Sequence, residues 1–322
     1  MSGAASTTID PRLAGRRVLV KVPATTANLG PGFDTLGLAL SVYDELEVSV
    51  RDEPGALVEV HGVGEGEVPT DASNLVVRSI LHTFEKHGVT APGLHLVARN
   101  VIPHGRGMGS SGAAIVAGVM AAKGLLDGIV ELGPDDLLAR ATELEGHPDN
   151  VAPALFGGLT IAWVTTEGPQ HKRLTVHRGV SLLVAVPVES TMSTALARSL
   201  QPESVPHQDA IFNVSRSALL IAALIQSPEL LHAATEDKLH QSYRASAMPE
   251  TNALIQVLRE HGLAAVVSGA GPSVLVLCSD PSQRLLAAEL IEKHATTPWE
   301  SHMLAVDFKG ATVVTHPAEA AA

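Results

Sequence analysis

The chain has 322 residues, a formal charge of −12 and 17% charged residues. So acidic a balance argues against a nucleic-acid partner, which needs a basic footprint, and the single cysteine, Cys278, excludes an internal disulfide. With 45% hydrophobic but only 3% aromatic residues, a length beyond the ~250–300 residues at which single cores stop growing predicts two domains with aliphatic interiors.

The first stretch, "MSGAASTTIDPRLAGRRV", lacks the apolar region of a secretory signal, and no run reaches the ~18–20 unbroken apolar residues of a membrane span, so a cytoplasmic enzyme is expected. "RRVLVKV" reads as a strand that breaks at Pro23. A polar loop through Gly30, Pro31 and Gly32 follows, then a strand over 43–50. "GALVEVHG" and "LHLVARN" alternate as strands. "NLVVRSILHTFEKHG" carries apolar residues at 75, 76, 80, 81 and 84, a helical spacing that Gly88 stops.

The segment "IPHGRGMGSSGAAIVAGV" (102–119) places four glycines and two serines before the point where an apolar, alanine-rich helix starts; that helix is expected to run to about Gly124. Backbone N–H groups at a helix start lack intrahelical partners and form a ready anion site, and glycine lets a phosphate approach. The same glycines equally suit a tight turn and close helix packing. Gly107, Gly109 and Gly112 also spell the dinucleotide fingerprint G-x-G-x-x-G, with Glu131 at ribose distance. That reading is disfavoured, because Pro103, His104, Gly105 and Arg106 separate the strand from the first glycine. No G-x-x-x-x-G-K-[ST] or G-x-S-x-G occurs, and no histidine sits in H-E-x-x-H or a Cys/His zinc spacing.

Further on, "PDDLLARATELEGH" predicts a helix opened by Pro134, with two aspartates in its first turn and an end near Gly146. "GGLTIAWV" is a strand. The polar stretch 165–173 is the expected boundary between a first domain, 1–170, and a second, 171–322. Beyond it, helices around 209–226 and 250–261, a strand at "AAVVSG" and a buried strand cysteine in "VLVLCSD" predict a second mixed domain.

Three glycine-bearing motifs occur in order: "PATTANLGPGFDTLG" (23–37), "PHGRGMGSSGA" (103–113) and "VSGAGPSVLVL" (267–277). In this combination the chain resembles the galactokinase, homoserine kinase, mevalonate kinase and phosphomevalonate kinase (GHMP) superfamily over about residues 17–277. "LEGHPDNVAPALFGGL" (144–159), Arg198 in "STALARSL" and Arg244 in "HQSYRASAMPE" bring it closest to the homoserine kinases. The resemblance implies an α+β fold of two domains, the first with a left-handed βαβ crossover and the second ferredoxin-like. It also implies ATP and Mg²⁺ as cofactors, L-homoserine as the small-molecule substrate phosphorylated for threonine biosynthesis, and a homodimer without nucleic-acid or membrane partners.

Residue by residue, the resemblance implies that Pro103, His104, Gly105, Arg106, Gly107, Met108, Gly109, Ser110, Ser111, Gly112 and Ala113 wrap the ATP phosphates, with Asn74 on the adenine side. Arg106 adds charge or is a solvated loop residue, and Ser110 is an alternative helix cap. Ser111 and Glu145 are the Mg²⁺ ligands, Glu143 being the alternative; Mg²⁺ takes hard oxygens and only one or two carboxylates. Arg198 and Arg244 clamp a carboxylate in the manner of a guanidinium fork, Asp34 meets the ammonium, and Asn28, His147, Asn150, Thr194, Gly269 and Gly271 line the substrate. With Asn150 where relatives place a carboxylate base, direct attack by the hydroxyl is expected, Asp149 remaining an alternative base. Other readings are a different small-alcohol kinase of the superfamily, a non-catalytic ligand-binding regulator on the same fold, or a nicotinamide oxidoreductase.

Overall fold

A computed structural model describes residues 9–316; residues 1–8 and 317–322 lie outside the described residues. β1 (Arg17–Ala27) alternates in burial up to Lys21 and is wholly buried from Val22 onward. Pro23 does not end it. The register against β2 (Leu36–Arg51) shifts between Pro23 and Ala24, and such a bulge tolerates a residue without an N–H. The "polar loop" of the first motif therefore starts only after Ala27. β2 extends well before the expected 43–50, because its first residues pair with the second half of β1.

β3 (Ala56–Gly62), α1 (Leu75–Lys86) and β4 (Gly93–Asn100) form a parallel βαβ unit. α2 (Ser110–Leu125) packs on α1 through small residues: a Cβ on Gly118 would lie 2.5 Å from the Val76 carbonyl oxygen. α3 (Pro134–Glu145) stops at Gly146, whose left-handed φ of 93° caps it. After it come α4 (Pro148–Phe156) and the hairpin β5 (Leu159–Thr165) and β6 (Gly168–Leu174). The polar stretch 165–173 is thus no linker but a turn and a strand, half-buried to exposed along its length; that exposure gave it a loop-like composition.

The second sheet begins with β7 (Ser181–Pro187). It is followed by α5 (Thr194–Ser199), α6 (His207–Ile225), α7 (Leu231–Ala234), α8 (Gln241–Arg244), α9 (Pro249–Glu260), β8 (Ala264–Val267), β9 (Val274–Cys278), α10 (Pro281–His294) and β10 (Trp299–Leu304). Its order, β10-β7-β9-β8, is antiparallel throughout; numbered along the chain it reads 4-1-3-2, the ferredoxin-like arrangement of two split βαβ units. β11 (Thr312–His316) then returns to pair with β1, so the seven-stranded first sheet takes both ends of the described chain.

The main core lies between the first sheet and its helices, with Ile80, Phe84, Leu94, Leu96 and Ile115 fully buried. A smaller one, with Leu254, Leu258, Leu290 and Ile291, sits under the second sheet. Cys278 is buried there as expected, and burial pushes its thiol up to about 12. Among the described residues, α6 is the one helix long and apolar enough to cross a membrane by length and composition. Asn213 and Ser217 on it both donate to the Pro31 carbonyl, at 2.9 and 2.6 Å, which braces the 28–34 loop.

Candidate active site

The turn before α2 is shaped by Gly105, Gly107 and Gly109, with φ of 63°, 75° and 68°, values that favour glycine. Gly109 is the N-cap, so Ser110 opens the helix and does not cap it. Among the described residues, the backbone N–H groups of Gly107, Gly109, Ser110, Ser111 and Gly112 donate to no protein group, leaving a cluster of donors at the positive end of a buried helix. Met108 is core, its carbonyl accepting from the Thr25 N–H at 3.1 Å. Arg106 points away from these donors. Its Nε and Nη2 donate to the Pro187 and Val188 carbonyls at 2.8 and 2.5 Å, which ties the loop to the end of β7.

Two cavities meet at Ser110 and Ser111. The first, of about 250 Å³, has an apolar wall from Val58, Val60, Leu96 and Ala117, and includes His104, Ala113 and Asn74. Asn74 caps α1, accepting from the Val76 N–H at 2.9 Å and donating to the Pro69 carbonyl at 2.8 Å. It shapes the wall, with both ends of its amide engaged. The second cavity, of about 170 Å³, is bordered by Gly105, Gly107, Gly109, Asn28, Asp34, Glu145, His147, Asn150, Thr194, Arg198, Arg244 and Gly269. Pro103 and Gly112 border neither, and neither does Gly271, whose added Cβ would meet the Met248 sulfur at 2.6 Å.

The end of α3 and start of α4 deliver the carboxylates. Ser111 Oγ donates to Glu145 Oε2 at 2.8 Å. Burial raises the Glu145 pKa, the Ser111 hydroxyl and nearby His147 offsetting part of this. Glu143 is turned away, paired with His82, Lys86 and Arg140, which separates the two acidic alternatives. Ser111 and Glu145 offer two adjacent hard oxygens beside free N–H donors, a set that fits a Mg²⁺ completed by phosphate and water. Among the described residues no group of three or more His, Cys, Asp or Glu could hold a metal by itself.

His147 Nδ1 and Asp149 Oδ1 lie 2.5 Å apart, with Asp149 buried. Burial alone would push the imidazole pKa down, but Asp149 outweighs it and the net shift is upward. Asn150 Oδ1 accepts from the Thr25 hydroxyl at 2.9 Å, and Asn150 borders the second cavity. A Cβ on Gly109 would collide with that same Thr25 oxygen, so the second motif closes onto the first through Thr25.

Asn28, Leu29 and Asp34 all have left-handed φ, 70°, 50° and 55°, strain of the kind found at binding sites. Asn28 holds the loop: its Oδ1 accepts from the Asp34 N–H at 3.0 Å and its Nδ2 donates to the Gly269 carbonyl at 2.8 Å. Ser268 Oγ lies 2.8 Å from Thr26 Oγ1 and 2.6 Å from the Gly107 carbonyl, so the third motif knits the other two. Arg198 meets Asp34 with both fork nitrogens, at 3.0 and 2.9 Å. Thr25, Thr26, Ser268 and the Asp149 partnership of His147 were missed from sequence; the paired threonines in "PATTAN" were the available signal.

Glycine-built anion donors beside a closed acceptor cavity on this two-sheet fold define a kinase of the GHMP type. Residues 74–158 match the family model for the GHMP kinases N terminal domain, and residues 220–295 that for GHMP kinases C terminal. The chain is 75% identical over 306 residues to the homoserine kinase of Leifsonia xyli subsp. xyli, covering 95% of this chain and 94% of that one. It is 46% identical over 305 residues to that of Streptomyces coelicolor, covering 94% and 96%. The crystal structure of homoserine kinase from Cytophaga hutchinsonii superposes with a TM-score of 0.83 at 27% identity, covering 92% of this chain and 97% of that one. The crystal structure of L. major mevalonate kinase shares the fold at a TM-score of 0.66 and 17% identity, over 89% of this chain and 94% of that one. The chain belongs to the homoserine kinase family.

Proposed function

We propose that this site carries out the family's reaction on its own residues as follows: the γ-phosphoryl group of ATP passes to the hydroxyl of L-homoserine, giving O-phospho-L-homoserine for threonine biosynthesis. The single observation that carries the reading is that the acceptor cavity runs from Ser110 and Ser111, at the start of α2, to Arg198 and Arg244. Phosphoryl transfer is mostly positioning and charge stabilisation, and the two halves of this site supply both.

The base lies in the apolar cavity walled by Asn74, and the phosphates lie against the N–H groups of Gly107 to Gly112. Ser111 and Glu145 would hold Mg²⁺, which would neutralise phosphate charge. The Asp34–Arg198 pair is the template for a zwitterion: the acceptor's ammonium replaces the arginine at Asp34, and its carboxylate replaces the aspartate at Arg198, with Arg244 alongside. An amino acid thereby exchanges one satisfied ion pair for two. Asn150, its carbonyl oxygen held by Thr25, donates to the acceptor hydroxyl and orients it for direct attack on the γ-phosphorus; the new O–P bond forms as the bond to ADP breaks, ADP leaves, and the hydroxyl proton passes by way of a phosphate oxygen to solvent. Asn150→Ala should lower kcat on the order of 10²-fold, as loss of a positioned donor does, with the ATP KM unchanged.

ADP release with L-homoserine, with and without Mg²⁺, tests the reading against mevalonate, galactose and shikimate as acceptors. Turnover confined to homoserine and dependent on the metal is expected; turnover of another alcohol in preference, or ATP binding with no transfer at all, would overturn it. The domain reading, 1–170 and 171–322, is likewise proposed; the two sheets are separated in the chain between Leu174 and Ser181, and β11 returns to the first. We further propose a cytoplasmic homodimer without nucleic-acid or membrane partners, which gel filtration and fractionation test.

A further inference from the structure

Arg244 is 2% exposed yet borders the acceptor cavity. A guanidinium stays charged when buried, so its donors need partners. Its Nε donates to the Ala197 carbonyl at 3.2 Å and, with the Gln201 amide in the orientation that satisfies its neighbours, also to Gln201 Oε1 at 2.9 Å, that amide donating in turn to the Leu239 carbonyl at 3.1 Å. The Phe33 ring lies 5.1 Å from its Cζ, and His240 Nδ1 lies 3.4 Å from Nη1. Among the described residues Nη2 has no protein partner. One edge of the fork is therefore tied down and the other is left for a ligand.

His240 is fully buried and stacks on Phe33, with centroids 4.9 Å apart and planes at 16°. Its Nε2 is 2.8 Å from the Gly30 carbonyl oxygen. A carbonyl only accepts, so Nε2 carries the proton, and the bare Nδ1 faces Arg244. Burial holds the imidazole neutral, and the Arg244 charge adds to this. Asp237, 3.7 Å away, does not reverse it: its oxygens already accept the N–H groups of Leu239, His240 and Gln241 at 2.9, 3.1 and 2.8 Å. Gly30 belongs to the strained 28–34 loop that carries Asp34. A Cβ there would lie 2.6 Å from the Thr235 carbonyl oxygen, so the loop is seated against this segment.

We propose that His240 is a positioning residue for the acceptor, a neutral bridge fixing the Arg244 fork relative to the loop that carries Asp34. The carboxylate and ammonium ends of an α-amino acid are then read at one set spacing. A neutral imidazole suits the task because it presents one donor and one acceptor on opposite sides of a rigid ring. The inference rests on the proposed reading of Arg244 as a carboxylate contact.

The test compares His240→Phe, which keeps the stack and the burial but removes both hydrogen bonds, with His240→Asn, whose Oδ1 still offers an acceptor to Arg244. L-homoserine and 3-amino-1-propanol, its analogue without the carboxylate, are the acceptors. Expected for His240→Phe is a homoserine KM raised roughly tenfold, the loss typical of one bond to a charged group, with the ATP KM and the 3-amino-1-propanol KM within about twofold of the parent. His240→Asn should restore much of the preference for the carboxylate, and remains informative if His240→Phe fails to fold. Equal losses on both acceptors, or no loss on homoserine, would overturn the bridge. Arg244→Ala separates the two ideas: an unchanged homoserine KM there sinks the carboxylate reading and the bridge with it, whereas a raised KM with a silent His240→Phe sinks the bridge alone.

Discussion

The two halves of the site are built from different materials. On the nucleotide side the functional groups are backbone N–H donors, held by left-handed glycines in one short segment and backed by a helix of small residues. On the proposed acceptor side they are charged and polar side chains from four separate stretches, already satisfying one another: Arg198 on Asp34, His147 on Asp149, Arg244 on His240. Backbone donors cannot be exchanged by substitution, only displaced; side-chain ions can be swapped, and the self-paired state tells which ligand charges can compete for them.

The sharpest attempt to break the contrast is at Glu145, the one charged side chain proposed for the nucleotide side, where it accepts from Ser111. Glu145→Gln removes the charged oxygen beside Ser111, and kcat should fall on the order of 10³-fold, the scale of losing a charge-stabilising group in phosphoryl transfer. ADP release across a Mg²⁺ titration checks it. If the rate survives, Ser111 alone or another oxygen holds the metal. On the acceptor side, Arg198→Ala should raise the homoserine KM by roughly 10- to 100-fold, the range for hydrogen bonds to ions, and leave the ATP KM unchanged. Asp34 is left unpaired in that variant, yet both groups are about 40% exposed (41% and 37%), so water limits any loss of stability. A parallel rise in the ATP KM would show that the two halves are coupled and not modular.

What the sequence made legible follows the same line. The turn over 103–113 and the helix after it are local, so glycine spacing and the alanine-rich run declared them, and Gly146 declared the end that delivers Glu145. Contacts between residues more than eighty positions apart left little trace. Thr25 reaches Asn150, Asn28 reaches Gly269, and Arg106 reaches Val188, each a choice of polar residue that would look ordinary on any loop. Pro23 misled because a bulge accommodates it, and β6 because an exposed edge strand has the composition of a loop. β11 closes the first sheet from the far end of the chain, which no local pattern in "ATVVTH" reveals.

Glycines separate turn-building from ligand approach. Gly107 and Gly271 both have left-handed φ, but a Cβ on Gly107 would drive into the Ser268 carbonyl where the second and third motifs join, whereas Gly271 faces the flexible Met248 side chain away from the cavity. Gly271→Ala should therefore cost mainly backbone strain, roughly 1–2 kcal/mol, seen as a fall in Tm with both KM values retained. A changed homoserine KM would place Gly271 in the acceptor site after all.

The smallest effect expected is also the one that tests the metal site without turnover. Burial raises the folded-state pKa of Glu145 above its unfolded value, so its charged form is disfavoured in the folded protein. Stability from this group is then fully present below the unfolded carboxylate range and is lost as pH rises through the folded pKa. Near pH 7 the metal-free protein carries that penalty, and Glu145→Gln relieves it. The variant should melt slightly higher than the parent, by no more than about 3 °C for a chain of this size, and the gain should vanish as the pH approaches 4 and the parent's carboxyl becomes neutral. Adding Mg²⁺ with a non-hydrolysable ATP analogue should invert the order, because the cation favours the carboxylate that only the parent possesses. A parent that gains no more from Mg²⁺ than the variant would separate Glu145 from the metal even if the variant were inactive.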